Sequence, residues 1–136
     1  MFKDRDVLIV VCDFLQQKGY VSEKRWPSSG TIVAINSDKG ERFLINAYPE
    51  HADAEATRAC VAYALYEAAC RLYEAERRKG DIIAVVFPYN SSFWENLQPL
   101  KKALHRLAIA CYLVRPNRSV LVFTEGTPRS GPLLVP

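Results

Sequence analysis

The chain has 136 residues, which is the size of one ordinary domain and too short for two well-developed cores. Hydrophobic residues make up 49% of the sequence and charged residues 24%, values that exclude a disordered chain, a coiled coil and a collagen-like fibre. The formal net charge of +3 is too small to indicate a nucleic-acid partner by itself.

The N-terminus and the cysteines bear on the cellular compartment. No apolar run reaches the roughly 18 residues of a membrane-spanning helix, and Asp4 and Asp6 precede the first apolar run, which argues against a secretory signal. Each cysteine lies in an apolar stretch and none forms a C-x-x-C pair, so reduced core thiols are favoured over a disulfide or a zinc site. We therefore expect a cytoplasmic protein that does not act at a membrane.

Hydrophobic periodicity and turn residues divide the first half of the chain into a helix, a β-hairpin and a long helix. Apolar residues repeat at helical spacing from Val7 to Leu15, and Gly19 follows as a stop. β-Branched residues come after the loop that ends at Gly30. The predicted elements are a helix at 4–18, a short extended piece at 20–24, strands at 31–35 and 42–48, and a helix from 53 to about 78.

The second half alternates strands with helices. Residues 82–87 are a continuous apolar run, which is typical of a parallel strand buried on both faces. Ser91 or Ser92 is expected to cap the next helix, and Pro99 either kinks this helix or marks the first turn of a later one. The predicted elements are strands at 81–87, 109–114 and 119–123, a helix that ends at Leu107, and an irregular tail at 125–136.

Helices that alternate with buried strands imply right-handed crossovers and a sheet covered by helices. The sequence therefore predicts an α/β fold with a central mixed sheet flanked by helices, in the order α-β-β-α-β-α-β-β. Residues 1–124 are expected to form one domain, followed by a C-terminal tail rich in proline and glycine.

No general motif identifies the chemistry. The chain has no GxxxxGK[ST] or GxGxxG phosphate-binding loop and no GxSxG nucleophile elbow. His51 and His105 are far apart in sequence and share no metal-ligand spacing. His51 follows a strand end, so it lies either near a site at the sheet edge or in solvent, and a solvated basic face is the simpler interpretation of His105.

The order and length of the elements resemble a known group of proteins. A helix ending in Gln16-Gln17-Lys18-Gly19-Tyr20 leads to a hairpin that starts at Trp26-Pro27-Ser28-Ser29-Gly30 and continues through Phe43-Leu44-Ile45-Asn46-Ala47-Tyr48. With the long helix and the strand–helix–strand unit that follow, residues 4–123 resemble the restriction-endonuclease-like, or PD-(D/E)xK, superfamily. The chain is most similar to its small stand-alone members, including relatives of archaeal Holliday-junction resolvases.

The resemblance implies an active site in which an aspartate on the first hairpin strand and an acid-x-lysine on the second bind Mg²⁺ and activate water. In this chain the aspartate position falls at about Val33, and the acid-x-lysine falls on Asn46-Ala47-Tyr48. Mg²⁺ prefers carboxylate ligands, whereas Val33 offers none and Asn46 offers only a neutral carbonyl. The resemblance therefore implies a nuclease fold that has lost its usual metal site.

Acids elsewhere in the chain leave an active enzyme open as an alternative. Asp13 on the first helix, Glu50 beyond the second hairpin strand and Glu67 on the long helix are the candidates for a migrated site. Their simpler interpretation is that they are solvated turn and helix acids. Mg²⁺ is expected only if the migrated site exists, and no other cofactor is expected.

The positive charge is concentrated in the last third of the chain. Residues 101–136 carry six basic residues and one acid, a net charge of +5, whereas residues 1–100 carry 12 basic and 14 acidic residues, a net charge of −2. Such a basic region can bind phosphates. The candidate nucleic-acid-binding residues are Lys101, Lys102, Arg106, Arg115 and Arg118. The loop aromatics that can stack on bases, anchor a protein or pack at the sheet edges are Trp26, Tyr89, Phe93 and Trp94.

Three hypotheses about function follow. The first is a catalytically degenerate nuclease-fold domain that binds nucleic acid or a protein partner. The second is an active Mg²⁺-dependent nuclease with relocated acids. The third is a structural module or homo-oligomer without a nucleic-acid role.

Overall fold

The computed structural model describes residues 1–26, 31–72 and 78–128. In these ranges, six strands form one mixed sheet in the order β1-β2-β3-β4-β5-β6, and helices cover both of its faces. The elements are, in chain order, α1 (Asp4–Gln16), β1 (Val21–Trp26), β2 (Thr31–Asn36), β3 (Glu41–Ala47), α2 (Ala54–Leu72), β4 (Asp81–Pro88), α3 (Ser91–Leu97), a 3₁₀ helix (Gln98–Leu100), α4 (Lys101–Arg106), β5 (Ala110–Val114) and β6 (Val120–Thr124).

The sheet combines an antiparallel meander with parallel strands. β1, β2 and β3 pair antiparallel, β3, β4 and β5 pair parallel, and β6 returns antiparallel to β5. The predicted α/β class with a mixed, helix-flanked sheet is confirmed. The predicted element order does not count β1 as a strand and gives only a short extended piece at 20–24, because half of the Val-Ser-Glu-Lys-Arg-Trp residues are charged and the sequence has no clear strand periodicity. β1 is an edge strand that joins the sheet through backbone pairing with β2.

β4 is the buried centre of the sheet. All eight of its residues are buried, and its side chains alternate between two core layers. Ile83, Val85 and Phe87 pack in the layer formed with α2, α3 and α4, whereas the intervening residues pack against α1. The prediction that this apolar run is a parallel strand buried on both faces is confirmed.

The helix predicted to reach Leu107 is interrupted. α3 ends at Leu97, and a 3₁₀ turn that contains Pro99 separates it from α4, because proline has no backbone N–H to continue the α-helical bonding. Asn90 caps α3, since its Oδ1 accepts a hydrogen bond from the N–H of Phe93 at 2.8 Å. The prediction of a cap at Ser91 or Ser92 is therefore wrong by one or two residues.

Two other predictions change in detail. Cys111 is buried, Cys12 and Cys60 are half-buried, and Cys70 is exposed on α2, so the prediction of four core thiols is wrong for Cys70. Its neighbours in sequence are apolar, but its position on the helix faces solvent. Residues 73–77 of the predicted long helix and residues 129–136 of the predicted tail lie outside the described residues.

No helix in the described part of the chain is both long enough and apolar enough to cross a membrane.

One ion pair fixes the register between β3 and β4. Arg42 and Asp81 are directly paired in the sheet, and Arg42 Nε and Nη2 donate to the two Asp81 carboxylate oxygens at 2.9 and 2.7 Å. The N–H of Arg78 donates a further hydrogen bond to Asp81 at 2.9 Å. Asp81 is only 1% exposed, so a slipped register would bury its charge without a cation.

The Arg42→Ala variant is expected to lower the free energy of unfolding by about 3 kcal/mol, because it leaves the buried Asp81 carboxylate unpaired. Urea unfolding followed by circular dichroism measures this loss. Arg5→Ala, at an exposed position of α1, is the control and should change stability by less than about 0.5 kcal/mol. Equal losses in the two variants would contradict the role given to the ion pair.

Candidate functional site

The positions that correspond to the nuclease motif lie in adjacent strands of the sheet. Val33 is fully buried in β2 and Asn46 is buried in β3. Val33 pairs with Leu44, whereas the residue of β2 directly opposite Asn46 is Thr31. The structure therefore places Val33 in the hydrophobic core, two residues away from the position that faces Asn46.

Tyr48, which falls at the lysine position of the motif, contacts an acid from α2. Its hydroxyl donates a hydrogen bond to Glu67 Oε1 at 2.5 Å, and its ring stacks on Phe87 with 5.3 Å between centroids. Burial, followed by the hydrogen bond to Glu67, raises the pKa of Tyr48 far above its ordinary value. Tyr48 is therefore a neutral donor at physiological pH and does not supply the positive charge of a lysine.

The two other candidate acids lie apart from Glu67. Asp13 is exposed on α1, which covers the opposite face of the sheet from α2. Glu50 Oε1 accepts a hydrogen bond from the N–H of Phe2 at 3.1 Å, so this side chain ties the N-terminal segment to the end of β3. In residues 1–26, 31–72 and 78–128, no three His, Cys, Asp or Glu side chains form a group that could hold a metal ion.

His51 is half-buried beside α3. Its ring lies 6.5 Å from that of Phe93, between centroids. Its Nε2 is buried and has no hydrogen-bond partner in the described part of the chain, and the same holds for the Ser92 hydroxyl. The half-buried ring and the buried Nε2 argue against the interpretation that places His51 in solvent.

A second candidate site is a cavity of about 780 Å³ between α4 and β6, which we call the basic groove. Two lysines, one arginine and one carboxylate line it, so its formal net charge is positive. The side chains that matter for its chemistry are Lys101, Lys102, His105, Arg106, Phe123 and Glu125. The structure thus brings three of the five predicted nucleic-acid-binding residues into one cavity.

The amphipathic pattern of α4 positions these cations. Leu104 is buried against the sheet, whereas Lys101, Lys102 and Arg106 are exposed on the outer side of the helix. The Lys101 ammonium lies 5.3 Å from the centroid of the Phe123 ring, within the range of a cation–π contact. No pattern in the sequence connects Phe123 with this site, because β6 follows α4 only after β5 and a turn.

The two remaining predicted cations lie at the other end of β6. Arg115 Nη1 donates a hydrogen bond to the Ser119 hydroxyl at 3.2 Å, and Arg118 is exposed in the same β5–β6 turn. Ser119 and Phe123 are about 13 Å apart along the strand, at ~3.3 Å per residue. The five predicted cations therefore form two groups, one at each end of β6.

The loop aromatics differ in their availability for stacking. Phe93 is fully buried and has no free face, whereas Tyr89 and Trp94 are half-buried. The Trp94 ring contacts both Tyr89, at 5.8 Å between centroids, and Phe123, at 5.6 Å. The side chain of Trp26 lies outside what the structure describes.

Comparison with known proteins finds no family model that matches the sequence and no curated protein that matches it significantly.

The buried tyrosines make stability depend on alkaline pH. Burial raises the pKa of Tyr20, Tyr48 and Tyr112 above the ordinary tyrosine value of about 10. As the pH rises, the tyrosines of the unfolded chain therefore lose their protons at a lower pH than those of the folded chain. The contribution of the buried tyrosines to stability is complete below about pH 10 and falls as the pH rises above it. Tyr48→Phe is expected to reduce this fall by about 1.4 kcal/mol per pH unit.

Urea unfolding at several pH values between about 9 and 12 measures this slope. Phe87→Leu is the matched control, because it disturbs the ring stacked on Tyr48 but removes no titrating group. Its slope should equal that of the wild type. A Tyr48→Phe slope that is also unchanged would show that the pKa of Tyr48 is not raised by folding.

Proposed function

We propose that this chain is a catalytically degenerate nuclease-fold domain that binds nucleic acid through the basic groove. The observation that carries the proposal is the convergence of Lys101, Lys102 and Arg106 on one cavity whose lining contains a single carboxylate, Glu125. Nucleic acids carry one negative charge per nucleotide, and lysine and arginine that neutralise it release condensed counterions. A concave, positively charged groove is suited to this interaction.

The residues at the motif positions support the first half of the proposal, a nuclease fold without catalysis. The chain order of α1, the hairpin of β2 and β3, α2, and the β4–helix–β5 unit is compatible with the resemblance to the restriction-endonuclease-like superfamily, with β1 as an additional strand between α1 and β2. At the motif positions, however, Asn46 is a neutral amide and Tyr48 is a neutral hydroxyl bonded to Glu67. These groups are poor ligands for Mg²⁺, which prefers carboxylates. The domain then acts by binding rather than by cutting.

The alternative of an active Mg²⁺-dependent nuclease rests on Glu67. This carboxylate reaches Tyr48 at the motif position, so one acid from α2 is close to where a metal ligand is expected. Asp13 lies on the opposite side of the sheet, and Glu50 is bonded to the N-terminal segment. A nuclease of this kind would need further oxygen ligands from the backbone, water or the substrate.

Replacement of Lys101, Lys102 and Arg106 together by alanine is expected to weaken nucleic-acid binding at least tenfold at about 50 mM salt. It should also lower the slope of log K against log salt by about 2 to 3, because roughly one counterion release is lost for each cation. Fluorescence anisotropy with labelled oligonucleotides over a series of salt concentrations measures both effects.

A charge-matched control separates a local site from general electrostatic attraction. Arg5, Arg58 and Lys79 are exposed and do not line the groove, and replacing these three by alanine removes the same net charge. This control should keep most of the affinity. Equal losses in the two triple variants would refute the groove as the binding site. Metal-dependent cleavage that Glu67→Gln abolishes would refute the degenerate assignment in favour of the active nuclease.

A further inference from the structure

We infer that the nucleic acid recognised by this domain is single-stranded and lies along the edge strand β6. Its phosphates contact the cations at the two ends of β6, and its bases stack on Trp94 and Tyr89. This inference rests on the proposed function, and it names the class of ligand that the basic groove takes. Three features of the described residues carry it: a row of aromatic rings, two separated groups of cations and an edge strand between them.

The aromatic row connects the end of β4 with the basic groove. Tyr89 and Trp94 are 5.8 Å apart, Trp94 and Phe123 are 5.6 Å apart, and the Lys101 ammonium lies 5.3 Å from Phe123. Phe123 is only 6% exposed and contacts Trp94 edge to face, whereas Trp94 and Tyr89 keep part of their surface accessible. Every base has a π-face, so half-exposed rings beside cations form a binding platform that tolerates any sequence.

The two cation groups match the reach of a short single strand. Lys101, Lys102 and Arg106 lie at the Phe123 end of β6, and Arg115 is held at the Ser119 end by its bond to the Ser119 hydroxyl. The separation of about 13 Å corresponds to about four nucleotides at the ~3.4 Å spacing of stacked bases, and to fewer in an extended strand. Sites of about four nucleotides or more are usual for proteins that bind single strands.

The side chains at the two ends of β6 point to the same face of the sheet. Leu121 and Phe123 pack in the core layer that contains α3 and α4. Side chains alternate along a strand, so Ser119, two residues before Leu121, is on the same face. The contact of Arg115 with Ser119 and the contacts of Trp94 and Lys101 with Phe123 therefore lie on the same side of β6. β6 is the last strand of the sheet, and no strand in the described ranges pairs with its outer edge, where backbone N–H and C=O groups can bond to bases.

A duplex does not fit this surface equally well. Its bases are paired and stacked internally, so their π-faces cannot reach Trp94 or Tyr89, and it can use the cations alone. The domain is therefore expected to bind a single strand more tightly than a duplex of equal length. The preference should be lost when the aromatic platform is removed, whereas removal of the cations should weaken both ligands.

The experiment compares a labelled oligothymidylate of about 12 nucleotides with a duplex of the same length, which covers the predicted site in either case. Trp94→Leu removes the platform, and Trp94→Phe keeps an aromatic ring at the same position. We expect Trp94→Leu to weaken single-strand binding about tenfold and duplex binding by less than twofold, and Trp94→Phe to stay within about threefold of wild type.

Intrinsic fluorescence gives a readout that does not depend on how well a Trp94 variant folds. The chain has two tryptophans, so a Trp26→Phe background, with wild-type melting temperature as its control, leaves Trp94 as the one emitter. Stacked bases should quench Trp94 emission on addition of oligothymidylate and leave it unchanged on addition of duplex. If Trp26→Phe alters the melting temperature, the emission of Trp94 is obtained by subtracting the emission of the Trp94→Phe variant from that of the wild type.

The outcomes separate this inference from the function on which it rests. Equal affinity for single strand and duplex, or unquenched Trp94 emission at saturation, overturns the inference. If the single-strand inference is overturned but the triple variant of Lys101, Lys102 and Arg106 still loses affinity for both ligands, the proposed function stands without the inference. Absence of binding to either ligand at about 50 mM salt overturns both.

Discussion

The burial of β4 on both faces is the constraint on which the rest of this structure depends. An apolar strand of this kind has to be covered from both sides, and α1 covers one side while α2, α3 and α4 cover the other. The bidentate pair of Arg42 and Asp81 then fixes how β3 aligns with β4. Because the connection from β4 to β5 returns over one face of the sheet, its last helix, α4, comes to lie beside β6. The position of the basic groove follows from this route of the chain.

The two candidate sites have different physical characters. At the motif positions, a buried tyrosine hydroxyl and a carboxylate satisfy each other within the layer that contains α2, an arrangement that stabilises the fold. At the basic groove, the exposed cations greatly outnumber the single carboxylate. Charges of one sign that converge on one cavity favour a ligand of the opposite sign. This contrast is why the proposed function places binding at β6 rather than at the end of β3.

Much of the fold could be predicted because several elements carry their own signal. The apolar run of β4 and the helical repeat of α1 depend only on neighbouring residues. β1 has a weaker signal, and only a short extended piece at 20–24 is predicted there, because its charged residues pair through the backbone at a sheet edge. The cap at Asn90 was missed because Ser91 and Ser92 are equally good caps in isolation, and the end of β4 decides which residue begins the helix.

The candidate site was predictable only in part, because only some of its residues are close together in the sequence. Lys101, Lys102 and Arg106 lie within six residues of each other, so their shared position on one helix follows from sequence. Arg115 and Arg118 have the same charge but lie beyond β5, and the strand length separates them from the groove. The contacts of Trp94 with Phe123 and of Tyr48 with Glu67 join residues from different elements, so they depend on how the sheet and helices pack.

The most direct test locates the bound nucleic acid on the surface of the protein. Isotope-labelled protein is titrated with single-stranded oligothymidylate, and the backbone amide signals are followed by proton–nitrogen correlation spectra. Binding at the basic groove and along β6 predicts shifts in α4, β6 and the side-chain indole of Trp94, with the signals around Tyr48 and Glu67 unchanged. Shifts concentrated at Asn46, Tyr48 and Glu67, with α4 and β6 unaffected, would contradict it.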